Sequence, residues 1–223
     1  MFRFWGLTLL AIMVMSTSAF ALDKCPPKPM GKVNIVWGSD NIRYDFTKSQ
    51  SQMDRMQTDT VNPYGRDVKT HVGGLMRGGI SVQSNTQVAI LTFPRTRQAC
   101  LWVDKVDISI RIDPKIYIAR EHRQGSCKHN AILEHEMKHV FVDREIVKKY
   151  IPIIHDFMEQ AVTKVGLVGP KDSNDANDYQ KKIVDYMQGQ LKRINERMYE
   201  ERKQRQRGVD TLEEYERVAN MCR

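Results

Sequence analysis

The most restrictive feature of the sequence is a change in the spacing of its apolar residues partway along the chain. Between Val103 and Ile112, apolar residues alternate with polar ones, and this period of two predicts a strand with one buried face. From about Lys128 to Tyr150 the chain has neither glycine nor proline, and the spacing becomes helical. Strands followed by helices are typical of α+β proteins. We therefore predict an α+β fold in which an N-terminal antiparallel or mixed sheet packs on C-terminal helices.

Shorter strands and a glycine-rich loop are expected before the alternating strand. Two glycine pairs, Gly73-Gly74 and Gly78-Gly79, indicate the loop. Pro114 is expected to end the alternating strand. The other predicted strands are Lys32–Trp37, Asn41–Phe46, Ile80–Gln83 and Gln87–Phe93.

Proline and glycine mark the expected ends of the helices. Pro152 is predicted to end or kink the first helix, and a second helix is predicted from there to Gly166. A long helix is expected over about residues 179–206, where apolar residues three and four apart form a seam for packing along another helix. A short final helix is predicted over Thr211–Asn220. Two residue pairs there match a capping box: Thr211 with Glu214, and Asp210 with Glu213.

The first residues have the pattern of a segment that is removed after export. Arg3 precedes a short apolar run, and Ala19-Phe20-Ala21 has the small-x-small pattern of a signal peptidase site. We predict a signal peptide over residues 1–21 and a single domain over residues 22–223. The protein is then exported, periplasmic or extracellular in a bacterium, with no stable membrane insertion after the signal is removed.

Four cysteines follow the predicted signal: Cys25, Cys100, Cys127 and Cys222. An even number of cysteines in an exported protein favours two disulfides. Three pairings are possible, and we favour Cys100 with Cys127, and Cys25 with Cys222, which would tie the chain ends together. No pair has Cys-x-x-Cys spacing, so we expect structural rather than catalytic cysteines.

The motif that carries chemistry is the HExxH pentapeptide formed by His135, Glu136 and His139. Residues four apart lie on one face of a helix, so both imidazoles can bind a single zinc ion. Glu136 lies about 100° around the helix from His135 and can take a proton from a metal-bound water. The pattern predicts one zinc per chain, with His135 and His139 as ligands and Glu136 as the catalytic base. Asp143 continues the same face too far along the axis to bind, so we expect it to orient His139 or another ligand.

The pentapeptide resembles that of the gluzincin-like zinc peptidases. It lacks the metzincin extension, because Val142 and Glu145 stand where that extension has glycine and histidine. From Cys100 through the alternating strand to the HEMKH helix, the chain is similar to a group of bacterial exported proteins described as a domain of unknown function with a zincin-type helix. The resemblance implies a zincin-like domain and a secreted zinc metallopeptidase or amide hydrolase acting on peptide or protein substrates.

The resemblance also suggests the remaining parts of the site. Gluzincins often take a third ligand from a glutamate on a following helix, which implies Glu159 if the chain reverses at Pro152. An edge strand beside the metal helix pairs with the substrate backbone in such enzymes, and residues 106–118 are expected to do this. Alternatives for the third ligand are Asp156, His155, His122 and His129. Candidate donors to the developing oxyanion, which nothing in the sequence ranks, are Tyr150, Tyr179, Tyr186 and Tyr215.

The formal charge of +8 suits contact with anionic envelope components. The basic stretch Lys192–Arg207 contains Tyr199 as its one aromatic residue, so we interpret it as a solvated helix face and expect no nucleic-acid partner. The alternative to an enzyme is a non-catalytic periplasmic envelope binding or assembly protein that retains a zincin-like helix. A third hypothesis is metal storage or sensing without hydrolysis.

Overall fold

A computed structural model of the chain describes residues 24–29, 31–56, 63–65 and 70–222, so the predicted signal peptide lies outside the described residues. It combines a five-stranded mixed sheet with helices in the C-terminal half. The strands are β1 (Lys32–Ser39), β2 (Arg43–Asp45), β3 (Gly74–Phe93), β4 (Gln98–Ile118) and β5 (Leu167–Asp172). The helices are α1 (Gln50–Met53), α2 (Cys127–Val165), α3 (Ala176–Arg207) and α4 (Leu212–Asn220), with one short 3-10 helix at Ser173–Asp175.

The sheet is organised around β4. Strand β3 pairs with it antiparallel along its whole length, from Gly74 opposite Ile118 to Phe93 opposite Gln98. Strands β1 and β2 pair with it parallel, and β5 pairs with it antiparallel. The sheet is therefore mixed, and it is not wholly N-terminal, because β5 follows α2. Pro114 does not end β4. On one side of β4, strand β1 pairs with residues up to Ile112, and strand β2 pairs with residues from Lys115. Pro114 lies in the gap between them, where a backbone N–H is not needed for pairing.

Gly74, Gly78 and Gly79 lie within β3, and Gly73 directly precedes it, so the two glycine pairs do not form the predicted loop. Gly78 has a φ of 138°, and a Cβ atom there would lie 2.1 Å from the Asp113 carbonyl oxygen. Only glycine tolerates both the positive φ and the close approach. Gly78 therefore lets β3 continue tightly against β4.

Helix α2 is continuous through Pro152, so Pro152 does not end the first helix. The second helix, predicted from Pro152 to Gly166, is the continuation of α2. Proline leaves the carbonyl of Lys148, four residues earlier, without its helical partner. Both residues are exposed, so water can bind that carbonyl. The chain does not reverse there, and His139 and Glu159 lie about 30 Å apart along one helix.

The long helix expected over about 179–206 is observed as α3, and its apolar seam is buried. Helices α2 and α3 pack together and against the sheet through one continuous core. Side chains from all three parts of this core include Ile108, Ile110, Ile146, Ile154, Met158, Met187, Ile194 and Met198. Within the described ranges, no helix is both long enough and apolar enough to cross a membrane.

The four cysteines form two disulfides, as expected, but the favoured pairing is wrong. Cys25 is joined to Cys100, and Cys127 is joined to Cys222. The physical reason is the length of β4, because Cys100 near its start is separated from Ile118 at its end by roughly 60 Å of extended strand. Cys127 follows that end, where α4 brings Cys222 to it.

Candidate metal centre

Helix α2 brings the two histidines of the motif together. Its N-cap is Ser126, whose hydroxyl accepts a hydrogen bond from the backbone N–H of His129 at 3.2 Å. The rings of His135 and His139 are buried, with centroids 5.1 Å apart and planes at 86°. One helical turn therefore holds two imidazoles edge to face around a common point.

That point is occupied by the carboxylate of Asp210, which lies in the turn between α3 and α4. Its Oδ1 atom is 3.3 Å from Nε2 of His135 and 3.2 Å from Nε2 of His139. The ligand atoms of the three buried residues all lie within 4.8 Å of one another, so they can hold a metal ion. This is the spacing expected when three donors surround one cation at about 2 Å each.

Glu159 does not complete this site. It lies in the C-terminal half of α2, far from the two histidines of the motif. Its side chain is 52% exposed, and its carboxylate lies 3.7 Å from His155. Asp156 belongs to the same exposed group. Of the upstream alternatives, His122 contacts Gln50 at 3.3 Å and His129 packs against Phe46. The third donor of the group is therefore Asp210, which the sequence indicated only as a possible helix cap.

The second carboxylate oxygen of Asp210 supports the assignment of a cation site. Its Oδ2 atom is buried and finds no hydrogen-bond partner within the described part of the chain. Burial alone would raise the pKa of Asp210, but hydrogen bonds from His135 and His139 outweigh it and lower that pKa. A buried carboxylate oxygen without a partner is costly, and a bound metal ion would satisfy it.

The histidines are held with Nε2 towards Asp210 by partners on their other nitrogen. His135 donates from Nδ1 to Glu214 Oε1 at 3.3 Å, and His139 donates from Nδ1 to Gln206 Oε1 at 2.5 Å. A hydrogen bond from Arg217 chiefly lowers the pKa of Glu214 to about 2, so its carboxylate is charged. Such partners fix the ring orientation and the tautomer that a metal ligand requires.

Asp143 reaches the site through a second layer of hydrogen bonds. It is almost fully buried, and Arg202 donates to its two oxygens at 2.6 and 3.0 Å. Gln206 donates from Nε2 to Asp143 Oδ1 at 2.7 Å while its own Oε1 accepts from His139. Asp143, expected from the sequence to orient a ligand, is thus joined to His139 through Gln206.

Glu136 lies beside the triad and against strand β3. Its carboxylate accepts a hydrogen bond from the backbone N–H of Met76 at 2.6 Å, and burial raises its pKa above the usual value. A Cβ atom on Gly74 would lie 2.3 Å from Ile132 and 2.7 Å from Glu136. Glycine at position 74 therefore lets β3 approach α2 closely enough to fix the Glu136 carboxylate.

The strand that faces the site is β3 and not residues 106–118, so that expectation is wrong. Those residues lie in β4, which is paired on both sides, whereas no other described strand pairs with β3. The free edge of β3, from Gly74 to Gly78, lines a cleft of about 1020 Å³ together with α2 and the ends of α3 and α4. Tyr199 closes this edge at one end by donating a hydrogen bond to the Ile80 carbonyl.

Among the four candidate tyrosines, Tyr215 is the one that lines the cleft. Its hydroxyl lies 3.5 Å from Asp210 Oδ1, and its ring centroid is 5.6 Å from that of His135. Burial, together with the nearby negative charges of Asp210 and Glu136, raises the pKa of Tyr215 above its usual value. The phenol therefore keeps its proton and can donate it to a hydrogen bond.

Nothing in the sequence pointed to Gln206 or Arg202, and Asp210 and Glu214 were expected only as helix-capping residues. Thr211 is indeed the N-cap of α4, accepting from the N–H of Glu214 at 3.2 Å. The Glu214 side chain, however, extends to His135, Lys138 and Arg217. The Cys127–Cys222 disulfide could have indicated that α4 lies beside the start of α2, but only if the cysteine pairing had been known.

Removing the Gln206 amide should weaken metal binding without unfolding the protein. Gln206→Leu keeps the side-chain volume but leaves Nδ1 of His139 without its acceptor, and losing such a supporting bond typically reduces metal affinity about 10- to 100-fold. The matched control is Gln204→Leu, on the same helix, where the side chain is exposed and bonds to Glu200. Zinc titration with a competing chelator measures both; equal affinities would show that Gln206 does not support the site.

Comparison with family models, with curated proteins and with solved structures gives no match to this chain.

Proposed function

We propose that this protein is an exported zinc-dependent peptidase or related amide hydrolase of the zincin-like type. His135, His139 and Asp210 hold the zinc ion, and Glu136 acts as the base. The observation that carries the proposal is the convergence of two Nε2 atoms on a buried carboxylate whose other oxygen has no partner within the described residues, directly beside Glu136. The two disulfides support export, because disulfides persist mainly in oxidising compartments.

The donor set favours zinc over other common cations. Two imidazole nitrogens and one carboxylate oxygen are the ligands of many catalytic zinc sites, which keep a fourth position for water or substrate. Calcium and magnesium prefer sites made almost entirely of oxygen. The triad lines the same cleft as the edge of β3, so a substrate held in the cleft would lie beside the three donors.

The side chains around the triad have separate roles in hydrolysis. Zinc, when bound, lowers the pKa of a water molecule and polarises the amide carbonyl. The Glu136 carboxylate accepts a proton from the attacking water and passes it to the leaving amine. The Tyr215 hydroxyl is placed to donate a hydrogen bond to the carbonyl oxygen as negative charge develops there.

The edge of β3 is suited to hold the substrate backbone. In an antiparallel pair, alternate residues direct both backbone groups to the same edge, so Gly74, Met76 and Gly78 direct theirs to the cleft. The Met76 N–H already donates a hydrogen bond to Glu136, and the Ile80 carbonyl already accepts one from Tyr199. An extended peptide would therefore pair mainly with Gly74 and Gly78.

The direct test is the metal content and activity of the chain without residues 1–21, produced with its disulfides formed. We expect one zinc per chain by elemental analysis after exhaustive dialysis, and cleavage of mixed peptide substrates that stops with a chelator and returns with zinc. Protein that holds no zinc and takes up none in titration would refute the proposal.

The Cys127–Cys222 disulfide should matter more for zinc than Cys25–Cys100. These two disulfides close loops of similar length, with sequence separations of 95 and 75 respectively. Removing either one should therefore lower the free energy of unfolding by a similar amount. Only the first holds α4, which has no buried residues of its own, against the start of α2. We expect Cys222→Ser with Cys127→Ser to weaken zinc binding about tenfold or more, and Cys25→Ser with Cys100→Ser to leave it nearly unchanged. Equal effects in zinc titrations would contradict this.

A further inference from the structure

The cleft beside the metal centre has an unbalanced positive charge. Its described lining contains two carboxylates, Glu136 and Asp210, and both belong to the proposed catalytic and metal-binding groups. The same lining contains five basic side chains: Arg77, Lys128, Arg202, Lys203 and Arg207. A bound divalent cation would offset the two carboxylates, so the basic side chains would remain as the net charge of the cleft.

Two of these basic residues form a compact pair that no carboxylate of the described residues neutralises. Lys203 and Arg207 are exposed, and neither has an ion pair with any other described residue. They stand four residues apart on α3, on one face and about 6 Å apart along its axis. Arg202 differs, because Asp143 neutralises it, and Lys128 donates to the Val218 carbonyl.

This pair is close to the metal centre because of its place on the chain. Gln206, which contacts His139, directly precedes Arg207, and Asp210 follows in the next turn. Lys203 lies one residue after Arg202. The end of α3 therefore presents its supporting residues to the triad and this cationic pair to the cleft.

We propose that Lys203 and Arg207 select peptide substrates that carry a carboxylate close to the bond that is cleaved. This inference rests on the proposed function, since it assigns the substrate class of that site. The carboxylate can belong to an Asp or Glu side chain or to the C-terminus of the substrate, and the same cationic pair would bind either one. The edge of β3 would hold the backbone, and the end of α3 would recognise the charge.

The test measures binding separately from cleavage. Zinc-loaded Glu136→Gln protein is titrated with fluorescent peptides of one length that differ only in charge: Glu or Gln at one position, each with a free or an amidated C-terminus. We expect the peptide with both carboxylates to bind about tenfold more tightly than the peptide with neither, with the difference shrinking as salt rises. The intermediate peptides identify which carboxylate is recognised.

Charge reversal supplies the matched control. Lys203→Glu with Arg207→Glu should remove the preference, whereas Lys181→Glu with Arg193→Glu should retain it, because those exposed residues lie on the same helix but outside the cleft lining. Circular dichroism and zinc content establish that each variant is folded and loaded. Equal binding of all four peptides, or equal losses in both double variants, would overturn the inference. Charge-selective binding without any hydrolysis by the wild-type protein would overturn the proposed activity instead.

Discussion

Glu136→Gln should reduce peptide hydrolysis by about 10³-fold or more while leaving zinc bound. The amide has nearly the same shape as the carboxylate, and its oxygen can still accept the hydrogen bond from the Met76 N–H. It cannot accept a proton from water at neutral pH, so the attacking nucleophile is not generated. Glu136 is not one of the three grouped donors, so the metal affinity should change little.

Steady-state hydrolysis and elemental analysis of the same preparation measure the two parts of this expectation. The control is Glu145→Gln, on the same helix, where the carboxylate is partly exposed and contacts Lys148 at 3.5 Å. That variant should retain full activity. A Glu136→Gln protein that cleaves peptides as fast as the wild type would exclude Glu136 as the base. A wild-type protein that binds zinc but cleaves nothing would favour the non-catalytic envelope protein or metal storage.

Asp210→Ala should weaken zinc binding by at least about 100-fold, since it removes a ligand and not merely a supporting bond. The substitution leaves two imidazoles, which do not close a stable zinc site. Glu159→Ala is the matched control, because it removes the carboxylate that the sequence favoured as third ligand but that the structure places far along α2. We expect it to bind zinc like the wild type.

Competitive titration with a chromogenic chelator gives both affinities, and thermal denaturation in the absence of metal shows whether either variant is unfolded. Without metal, the Asp210→Ala protein should not be much less stable than the wild type. The reason is that the substitution also removes a buried carboxylate oxygen that has no hydrogen-bond partner among the described residues. Weaker binding in Glu159→Ala, with normal binding in Asp210→Ala, would reverse the assignment of the third ligand.

Local spacing accounts for the parts of this protein that could be predicted. The spacing of four positions from His135 to His139 places both rings on one helical face whatever surrounds the helix. The seam of α3 follows from the same period, and the alternation in Val103–Ile112 marks the central part of β4. Each of these features depends on dihedral angles repeated over neighbouring residues, which the order of apolar and polar residues records directly.

Breakers were less reliable, because their effect depends on what surrounds them. Pro152 normally ends a helix, but here the carbonyl that it leaves free lies on an exposed face. Gly78 suggests a turn, but here its missing side chain lets one strand pass close to another. Pro114 lies within a strand, at a gap between two neighbours. In all three cases the tertiary environment decided whether the proline or glycine interrupted the helix or strand.

The sequence by itself determined the pair of imidazoles, the glutamate between them and the helix that carries all three. Only the tertiary structure decided the third member of the candidate metal-binding group, the strand at the cleft and the disulfide partners. The reason is that Asp210 meets His135 and His139 through the return of the chain after α3, held by the Cys127–Cys222 bond. The free edge of β3 likewise follows from the way in which whole strands pair. Contacts between distant segments leave no periodic pattern in a single sequence, so the sequence could not show either feature.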